Sequence, residues 1–567
     1  PGQARERYEQ ALRLSPGDER AFFGLARVAR AEGELDEAER WMEQTLDAIE
    51  AARDQVWRLD LRSSYLASRQ EQYAFYIDLL AERHRREPDR GHDARAFAIS
   101  ERARARSLLD LLSVASQKPD PEEVRRVGEL SRQVNTQHLD VLASSQGIED
   151  GAPGSDLSDL LERLRQAEAE AQGPLTLERA TPTLSLTQVQ AELIDGETLL
   201  LEYFLGEERS FLWAVTSEET RFSILPGREE IEQAARQAYR RMLESHHQTG
   251  EIAARQAASR LSRMLLGPVA DLLDRRRLVL VAPGSLQSVP FAALYHPQSG
   301  GRVAAQPLIA EHEIVSLPSA SVLATLRTRT ANRRPPPGLL AVVADPVFGP
   351  DDERLQGLRR GGEAGRARPS SLVTPWQRLR YTGREAEAIL ALAGSRSVLA
   401  ASGFAANRDL VRNGRLGSYR VLHFATHGIL NDLYPELSAL ALSAFDASGR
   451  PIDGHLRAYE ISDLDLRADL VVLSACRTGL GKEVGGEGLV GLTQGFLHAG
   501  APRLLVSLWD VDDRATGELM KRFYTGLFLQ NLPPAQALRQ AQLSLSREKR
   551  WRAPYYWAGF TLQGEWR

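Results

Sequence analysis

A chain of 567 residues with 43% hydrophobic and 26% charged residues has room for several packed domains, and its composition is neither that of a disordered or collagenous chain nor that of a membrane protein. Its 71 basic residues are met by 76 acidic ones, for a net charge of -5, and the two signs interleave along helical stretches, so no face is built to neutralise a phosphate backbone and nucleic acid is not an expected partner. A single cysteine excludes an internal disulfide framework and a cysteine-rich zinc site, and suits a reducing cytoplasm. Apolar runs such as Leu278 to Pro283 and Leu470 to Ala475 are strand-sized, far short of the roughly 20 residues of a membrane helix, so no bilayer span is expected. Arg275-Arg276-Arg277 reads as a solvated helix end. The opening Pro1-Gly2-Gln3, with neither a methionine nor an apolar leader, reads as the start of an excised piece or a processed product.

In chain order, Ala4, Tyr8, Ala11 and Leu12 recur in type 34 residues later as Ala38, Met42, Thr45 and Leu46, and Pro16 closes the first unit. Phe22, Leu25, Ala26 and Ala29 lie between them at helical spacing, the small residues letting an antiparallel helix approach. This pattern resembles tetratricopeptide repeats (TPRs). Two units cannot bury their own faces, so divergent helical pairs are expected from Gln55 to about Ser113, ending in one long amphipathic helix over Ala96 to Leu112. Helical patterns over Asp120 to Ser145 and Asp156 to Gln172, parted by a loop rich in Gly, Pro, Asp and Ser, read as a connector.

At Thr198 the texture changes to short β-rich runs, Leu199 to Phe204, Phe211 to Val215 and Phe222 to Leu225. A helix over Glu229 to Leu265 and a strand over Leu278 to Ala282 complete a first α/β unit, closed by the Pro-rich break at Arg333 to Gly338. Strands then alternate with helices: strands at Leu339 to Ala344, Ser397 to Leu399, Arg420 to Ala425, Leu470 to Ser474 and Arg503 to Ser507, and helices at Gly383 to Ala393, Phe404 to Asn413 and Gly488 to Ala499. Alternation of this kind predicts a mostly parallel sheet covered by helices, with active residues beyond the carboxyl ends of its strands. The expected division is helical repeats over 1–115, a connector over 116–184, one α/β half over 185–332 and a second over 338–567.

Two strand ends carry candidate chemistry. Val421 to Ala425 leads into Thr426-His427-Gly428, and Leu470 to Ser474 leads into Ala475-Cys476-Arg477-Thr478-Gly479. A histidine at one tip and a cysteine at its neighbour can form a nucleophilic pair, the imidazole taking the thiol proton and the thiolate attacking an amide carbonyl. The Gly428 and Cys476 N–H groups are candidates for the oxyanion hole. A buried cysteine alone is more often an inert hydrophobe, but histidine precedes cysteine by 49 residues here, in the order and near the separation of caspases. His423 and His427 imitate a zinc HxxxH, yet residues four apart on a strand stand about 13 Å from each other, so no metal is expected, and His423 reads as a strand histidine. Gly479-Leu480-Gly481-Lys482-Glu483 lacks the spacing of a phosphate loop, and no cofactor is expected.

With Val289-Pro290-Phe291-Ala292-Ala293-Leu294, Gly485-Gly486-Glu487-Gly488-Leu489, Phe496-Leu497-His498-Ala499-Gly500-Ala501, Ser507-Leu508-Trp509 and Tyr556-Trp557-Ala558-Gly559-Phe560, the region from about Ser185 to Gly564 resembles the CHAT family and, more distantly, the separases. The resemblance implies an α + α/β fold in which TPR-like repeats precede a caspase-like domain made of an inactive half and an active half. It implies a cysteine peptidase with His427 and Cys476 as its dyad, a protein substrate, a protein regulator on the repeats, and a place in bacterial defence or cell death. Trp509-Asp510-Val511-Asp512-Asp513 is similar to a separase segment beside the P1 pocket, so Asp510 or Asp513 is a candidate acceptor for a basic P1 side chain. Two alternatives stay open: that these acids cap the helix starting near Ala515, and that the caspase-like module is a scaffold that binds partners without cleaving them.

Overall fold

The computed structural model describes residues 2–56, 59–113, 121–144, 155–172, 183–246, 248–299, 306–359, 376–475, 478–484 and 488–567. Seven helices open it: α1 (Gly2–Leu14), α2 (Glu19–Glu32), α3 (Leu35–Gln55), α4 (Leu59–Ala67), α5 (Gln70–Arg86), α6 (His92–Arg102) and α7 (Arg106–Ser113). Asp18 starts α2 by accepting the Arg20 and Ala21 N–H groups at 2.9 and 3.2 Å. The small residues of the repeat pattern act as expected: Ala26, Ala29 and Ala38 are fully buried with Met42 and Leu46. The single helix expected over Ala96 to Leu112 is in fact broken. Ala105 turns left-handed at φ 50°, and the preceding Arg104 reaches out of the array to the Tyr203 carbonyl, 2.7 Å away. A tertiary contact thus overrides a continuous helical pattern.

Two further helices, α8 (Pro121–Ser144) and α9 (Ser155–Gln172), form a hairpin. Its apolar stripe, with Leu130, Val134, Leu157, Leu161 and Leu164, packs on Leu437 and Tyr459 far along the chain.

Among the described residues the α/β part holds sixteen strands: β1 (Thr198–Phe204), β2 (Ser210–Val215), β3 (Thr220–Leu225), β4 (Arg277–Val281), β5 (Glu313–Ser316), β6 (Gly338–Ala344), β7 (Val398–Ser402), β8 (Tyr419–Ala425), β9 (His427–Ile429), β10 (Ala439–Ala441), β11 (His455–Arg457), β12 (Leu470–Ser474), β13 (Lys482–Val484), β14 (Gly488–Val490), β15 (Arg503–Ser507) and β16 (Phe560–Gly564). Eleven of them make one sheet in the order β3-β2-β1-β4-β5-β16-β15-β12-β8-β6-β7. On one side β1, β4, β5 and β16 run parallel; on the other β15, β12, β8, β6 and β7 run parallel. The antiparallel pair β15–β16 joins them. The carboxyl ends of the two sets therefore lie at opposite edges of the sheet.

Period-2 alternation sorts side chains to the two faces. Val342, Val421, Ala425 and Val472 join one core with Ile389, Phe523 and Tyr524, while Val343, Leu422, Phe424 and Val471 join another with Leu492, Phe496 and Leu108. The helices Arg380–Ala393 and Asp513–Leu529 cover the first face, and Leu492–His498 with α7 the second.

Several expected elements differ. The helix expected over Glu229 to Leu265 is two, Arg228–Leu243 and Gln248–Leu266. The one expected over Gly488 to Ala499 begins as β14, and its helix is Leu492–His498. The Phe404 to Asn413 helix shrinks to Arg408–Arg412 behind a 3-10 turn. Arg276 and Arg277 are not a helix end: they enter β4 and pair with the buried Glu313 carboxylate at 2.9 and 3.0 Å. The helices, sheet and order of parts are those of helical repeats ahead of an α/β domain built on one large, mostly parallel sheet.

Candidate functional site

Strand β8 ends at Ala425, opposite Ser474 at the end of β12. Thr426 follows, its N–H donating to the Ser474 carbonyl at 3.3 Å and its Oγ1 to the Ala441 carbonyl. His427 comes next and opens β9, where it faces Ala441 of β10, while Gly428 faces Leu440. The two tips named from the sequence are thus neighbours, cross-linked one residue before His427 and two before Cys476. Cys476 itself, the candidate nucleophile and second oxyanion donor, and Glu487 lie outside the described residues.

The flanks of Cys476 are held from both sides. Ser507 Oγ donates to the Ala475 carbonyl, and the Gly479 N–H donates to the Ser507 carbonyl at 2.7 Å. Gly479 permits this approach: a Cβ there would stand 2.7 Å from Val506 Cγ2 and 2.9 Å from the Ser507 oxygen. The same closeness explains the Trp-Ala-Gly-Phe motif. A Cβ on Gly559 would meet Trp509 Nε1 at 2.9 Å, and Trp509 instead donates that N–H to the Tyr555 carbonyl at 3.1 Å.

The His427 ring sits between Phe348 and Trp376, each centroid 5.1 Å away. Its Nε2 is 2.8 Å from the Gln377 carbonyl. A carbonyl only accepts, so this contact puts the proton on Nε2 and leaves the lone pair of the neutral ring on Nδ1. Burial pushes the His427 pKa down, against the Gln377 carbonyl and the negative charge of Asp510, which hold it up. At neutral pH the ring is a base.

The Gln377 carbonyl is fixed by its neighbour. Arg378 grips Asp345 through a fork, Nε to Oδ1 at 2.8 Å and a terminal nitrogen to Oδ2 at 2.7 Å. Asp345 stands just past β6 with φ 48°, a left-handed conformation an aspartate tolerates, and Arg354 adds a third contact at 3.1 Å. None of Phe348, Trp376, Gln377, Arg378 and Asp345 was singled out from the sequence. The signal that could have found Asp345 is its place at the end of a parallel strand, Leu340 to Ala344, beside the one leading to His427.

The two P1 candidates have different surroundings. Asp510 is exposed and acts on His427 through its charge. Asp513 is half-buried at the first turn of the helix Asp513–Leu529, its pKa raised by burial and by the carboxylates of Glu385 and Asp512. Neither caps that helix; Asp512 does, accepting from the Arg514 and Ala515 N–H groups at 3.1 and 2.9 Å. His423 is fully buried under the site, Nδ1 3.1 Å from Tyr524 Oη and Nε2 3.0 Å from Glu385. Among the described residues no cluster of three or more His, Cys, Asp or Glu is set to hold a metal ion, and no helix is long and apolar enough to cross a membrane.

Residues 255–565, more than half the chain, match the CHAT domain, and residues 1–59 match a tetratricopeptide repeat. Tetratricopeptide repeat protein 28 of Mus musculus is 28% identical over 341 residues and that of Homo sapiens 27% over 340, covering 53% of this chain and 12% of each relative. The chain therefore spans only a small part of these curated relatives. Among solved structures, the Saccharomyces cerevisiae separase–securin complex is similar over 94% of this chain and 37% of that one, with 11% identity and a TM-score of 0.47. The Arg specific cysteine proteinase gingipain R is similar over 59% and 74%, with 10% identity and a TM-score of 0.33. The chain belongs to the CHAT domain family, with tetratricopeptide repeats ahead of the domain that defines it.

Proposed function

We propose that this protein is a cysteine endopeptidase in which His427 is the base for Cys476. The observation that carries the reading is the His427 ring: neutral, with its Nε2 proton committed to the Gln377 carbonyl and its Nδ1 lone pair left to receive a proton at the tip beside the strand leading to Cys476. In the proposed reaction Nδ1 takes the thiol proton and the thiolate attacks the scissile carbonyl. The Gly428 and Cys476 N–H groups receive the oxyanion, and the imidazolium then protonates the leaving amine. Water, deprotonated by the same histidine, releases the acyl group. Asp510, through its charge, favours the imidazolium formed in the first step. Asp510 or Asp513 receives a basic P1 side chain.

The substrate is a specific protein, and a partner on the repeats regulates the enzyme in a reducing cytoplasm, within a bacterial defence or cell-death system. The division into repeats over 1–115, connector over 116–184, inactive half over 185–332 and active half over 338–567 belongs to the same proposal.

The test pairs a cleavage assay, on proteins encoded nearby and on a peptide library varied at P1, with alkylation of the chain's single cysteine. Cleavage abolished by Cys476→Ala and by His427→Ala, with alkylation slowed at least about tenfold in His427→Ala, is the expected result. Alkylation that ignores His427, with no cleavage in the presence of the natural partner, would return the module to the scaffold reading. A library in which neutral P1 residues outpace Arg and Lys would remove the acids from the P1 pocket.

A further inference from the structure

A cavity of about 340 Å³ lies away from His427, beyond the carboxyl ends of β1, β4 and β5, where Phe204, Ala282 and Ser316 line it. Parallel α/β sheets place ligand crevices at such strand ends, and the volume is in the range of small-molecule sites. Its walls come from three parts of the chain: Arg104 from the end of the helical array, Arg228 from the first α/β unit, and Thr493 and Gln494 from the helix Leu492–His498.

The charge of the lining is one-sided. Two guanidinium groups line the cavity, and among the described residues no carboxylate does. Arg228 is exposed at the mouth, anchored by one bond of 2.6 Å to the Leu205 carbonyl. The Arg104 side chain is 9% exposed. Its terminal nitrogen is used on Ser100 and the Tyr203 carbonyl, but among the described residues its Nε has no hydrogen-bond acceptor, Glu202 Oε1 standing 3.7 Å away. Burial and the neighbouring Glu101 charge drive the Glu202 pKa well up, which favours the uncharged form of the acid that stands nearest the Arg104 Nε. Leu280, Leu286, Val289 and Phe291 add apolar side chains to the lining.

We propose that this cavity is an effector site for a small amphipathic anion, a carboxylate or phosphate monoester with an apolar body, whose anionic head pairs with Arg104 and Arg228. The site reaches the catalytic half through its walls. The backbone of β13 runs beside α4 of the helical array, that of β14 runs beside the Gly284–Ser288 turn that borders the cavity, and the helix Leu492–His498 follows directly. These two strands are the chain immediately downstream of Cys476 and Gly479. An anion that ties Arg104, Arg228 and Gln494 together holds the β13–β14 hairpin against the array. The binding claim stands whether or not Cys476 is a nucleophile.

The test titrates the full chain by calorimetry with phenyl phosphate and, separately, with 3-phenylpropionate, at up to about 5 mM, where probes this small bind at ordinary efficiency. One-site binding of at least one probe is expected, weakened about tenfold or more in Arg228→Gln and abolished in Ser316→Phe, which fills the cavity. The arm that binds tells phosphate from carboxylate. Amide exchange of Lys482–Val484 and Gly488–Val490 slows on binding. No heat with either probe, or equal affinity in the wild type and in both variants with melting temperatures preserved, overturns the site. Binding that leaves exchange of those two strands unchanged overturns the coupling.

Discussion

Replacing Arg378 with glutamine tests whether the base is held from a distance. The Asp345–Arg378 fork, with bonds of 2.8 and 2.7 Å, sits one residue beyond the Gln377 carbonyl that fixes the His427 tautomer. Hydrogen bonds to charged groups contribute roughly 1.5–3 kcal/mol each when well buried. The Arg378 side chain is 29% exposed, so solvent screening reduces the fork to about 1–2 kcal/mol in all. If that energy keeps the carbonyl on Nε2, losing it lowers the fraction of correctly oriented imidazole about 5- to 30-fold, since about 1.4 kcal/mol is tenfold. The expected result is a fall of that size in kcat with KM within about twofold, and a parallel fall in the alkylation rate of Cys476 near neutral pH. Arg378→Lys keeps the charge but not the planar fork and recovers little. Wild-type kcat and alkylation alongside a lowered melting temperature would refute the reasoning, leaving the fork a purely structural pair.

Three further predictions follow from the same structure. Because burial lowers the His427 pKa and the neutral ring is the base, the acid limb of kcat should fall below the ordinary histidine value of about 6.5. Asp510→Asn removes a charge that favours the imidazolium, so it should move that limb further down; an upward shift would contradict the assignment. His138, buried in α8 against Arg457 and His455 with Asp453 nearby, has its pKa lowered to about 3, first by burial and then by the Arg457 charge. The released hairpin binds the proton more readily, so docking is fully stabilised above about pH 6.5 and weakens as pH falls towards 3. Acidification from pH 7.5 to 5 should cost about 2 kcal/mol. Hydrogen exchange of α8, corrected for intrinsic rates, should therefore accelerate at pH 5, and a His138→Asn protein showing the same acceleration would exclude His138 as the cause. Finally, Gly559→Ala forces a Cβ to within 2.8 Å of Val511 Cγ1 and 2.9 Å of Trp509 Nε1, and should destabilise by about 1–3 kcal/mol in chemical denaturation; an unchanged midpoint would mean that the Trp509 ring yields freely.

The strand ends carrying His427 and Cys476 were legible because buried parallel strands read as continuous apolar runs, and such a run ending in His-Gly or Ala-Cys marks its own tip. The helical repeats were legible from their period, which the tetratricopeptide-repeat match over residues 1–59 bears out. What could not be read were contacts between distant segments. Gln377 lies 50 residues before the histidine it orients, and nothing local distinguishes its carbonyl from any other. Arg104 breaks a helix whose pattern runs on unbroken because its partner, Tyr203, is 99 residues away. Gly488 to Val490 reads as part of a helix because three residues show neither a period of 2 nor one of 3.6, and pairing with Lys482 to Val484 makes it a strand. Asp512 rather than Asp510 or Asp513 caps the following helix, a choice among three near-adjacent acids that depends on where the first turn begins.

The place of β16 has a consequence for how the protein is made. It lies between β5 and β15, yet in sequence it follows β5 by more than 240 residues, with Leu562 beside Val315. During synthesis the first set of strands therefore waits with an open edge at β5 while the whole second set emerges, and only then does a five-residue strand close the seam. At roughly 5–20 residues per second that interval lasts some 10 to 50 seconds, long enough for a bare strand edge to find another chain. Expression of the chain up to β5 alone leaves the β5 edge uncovered for good, and expression of the remainder leaves the facing edge of β16 uncovered, so dissected halves should aggregate where the intact chain, or the two halves produced together, should not.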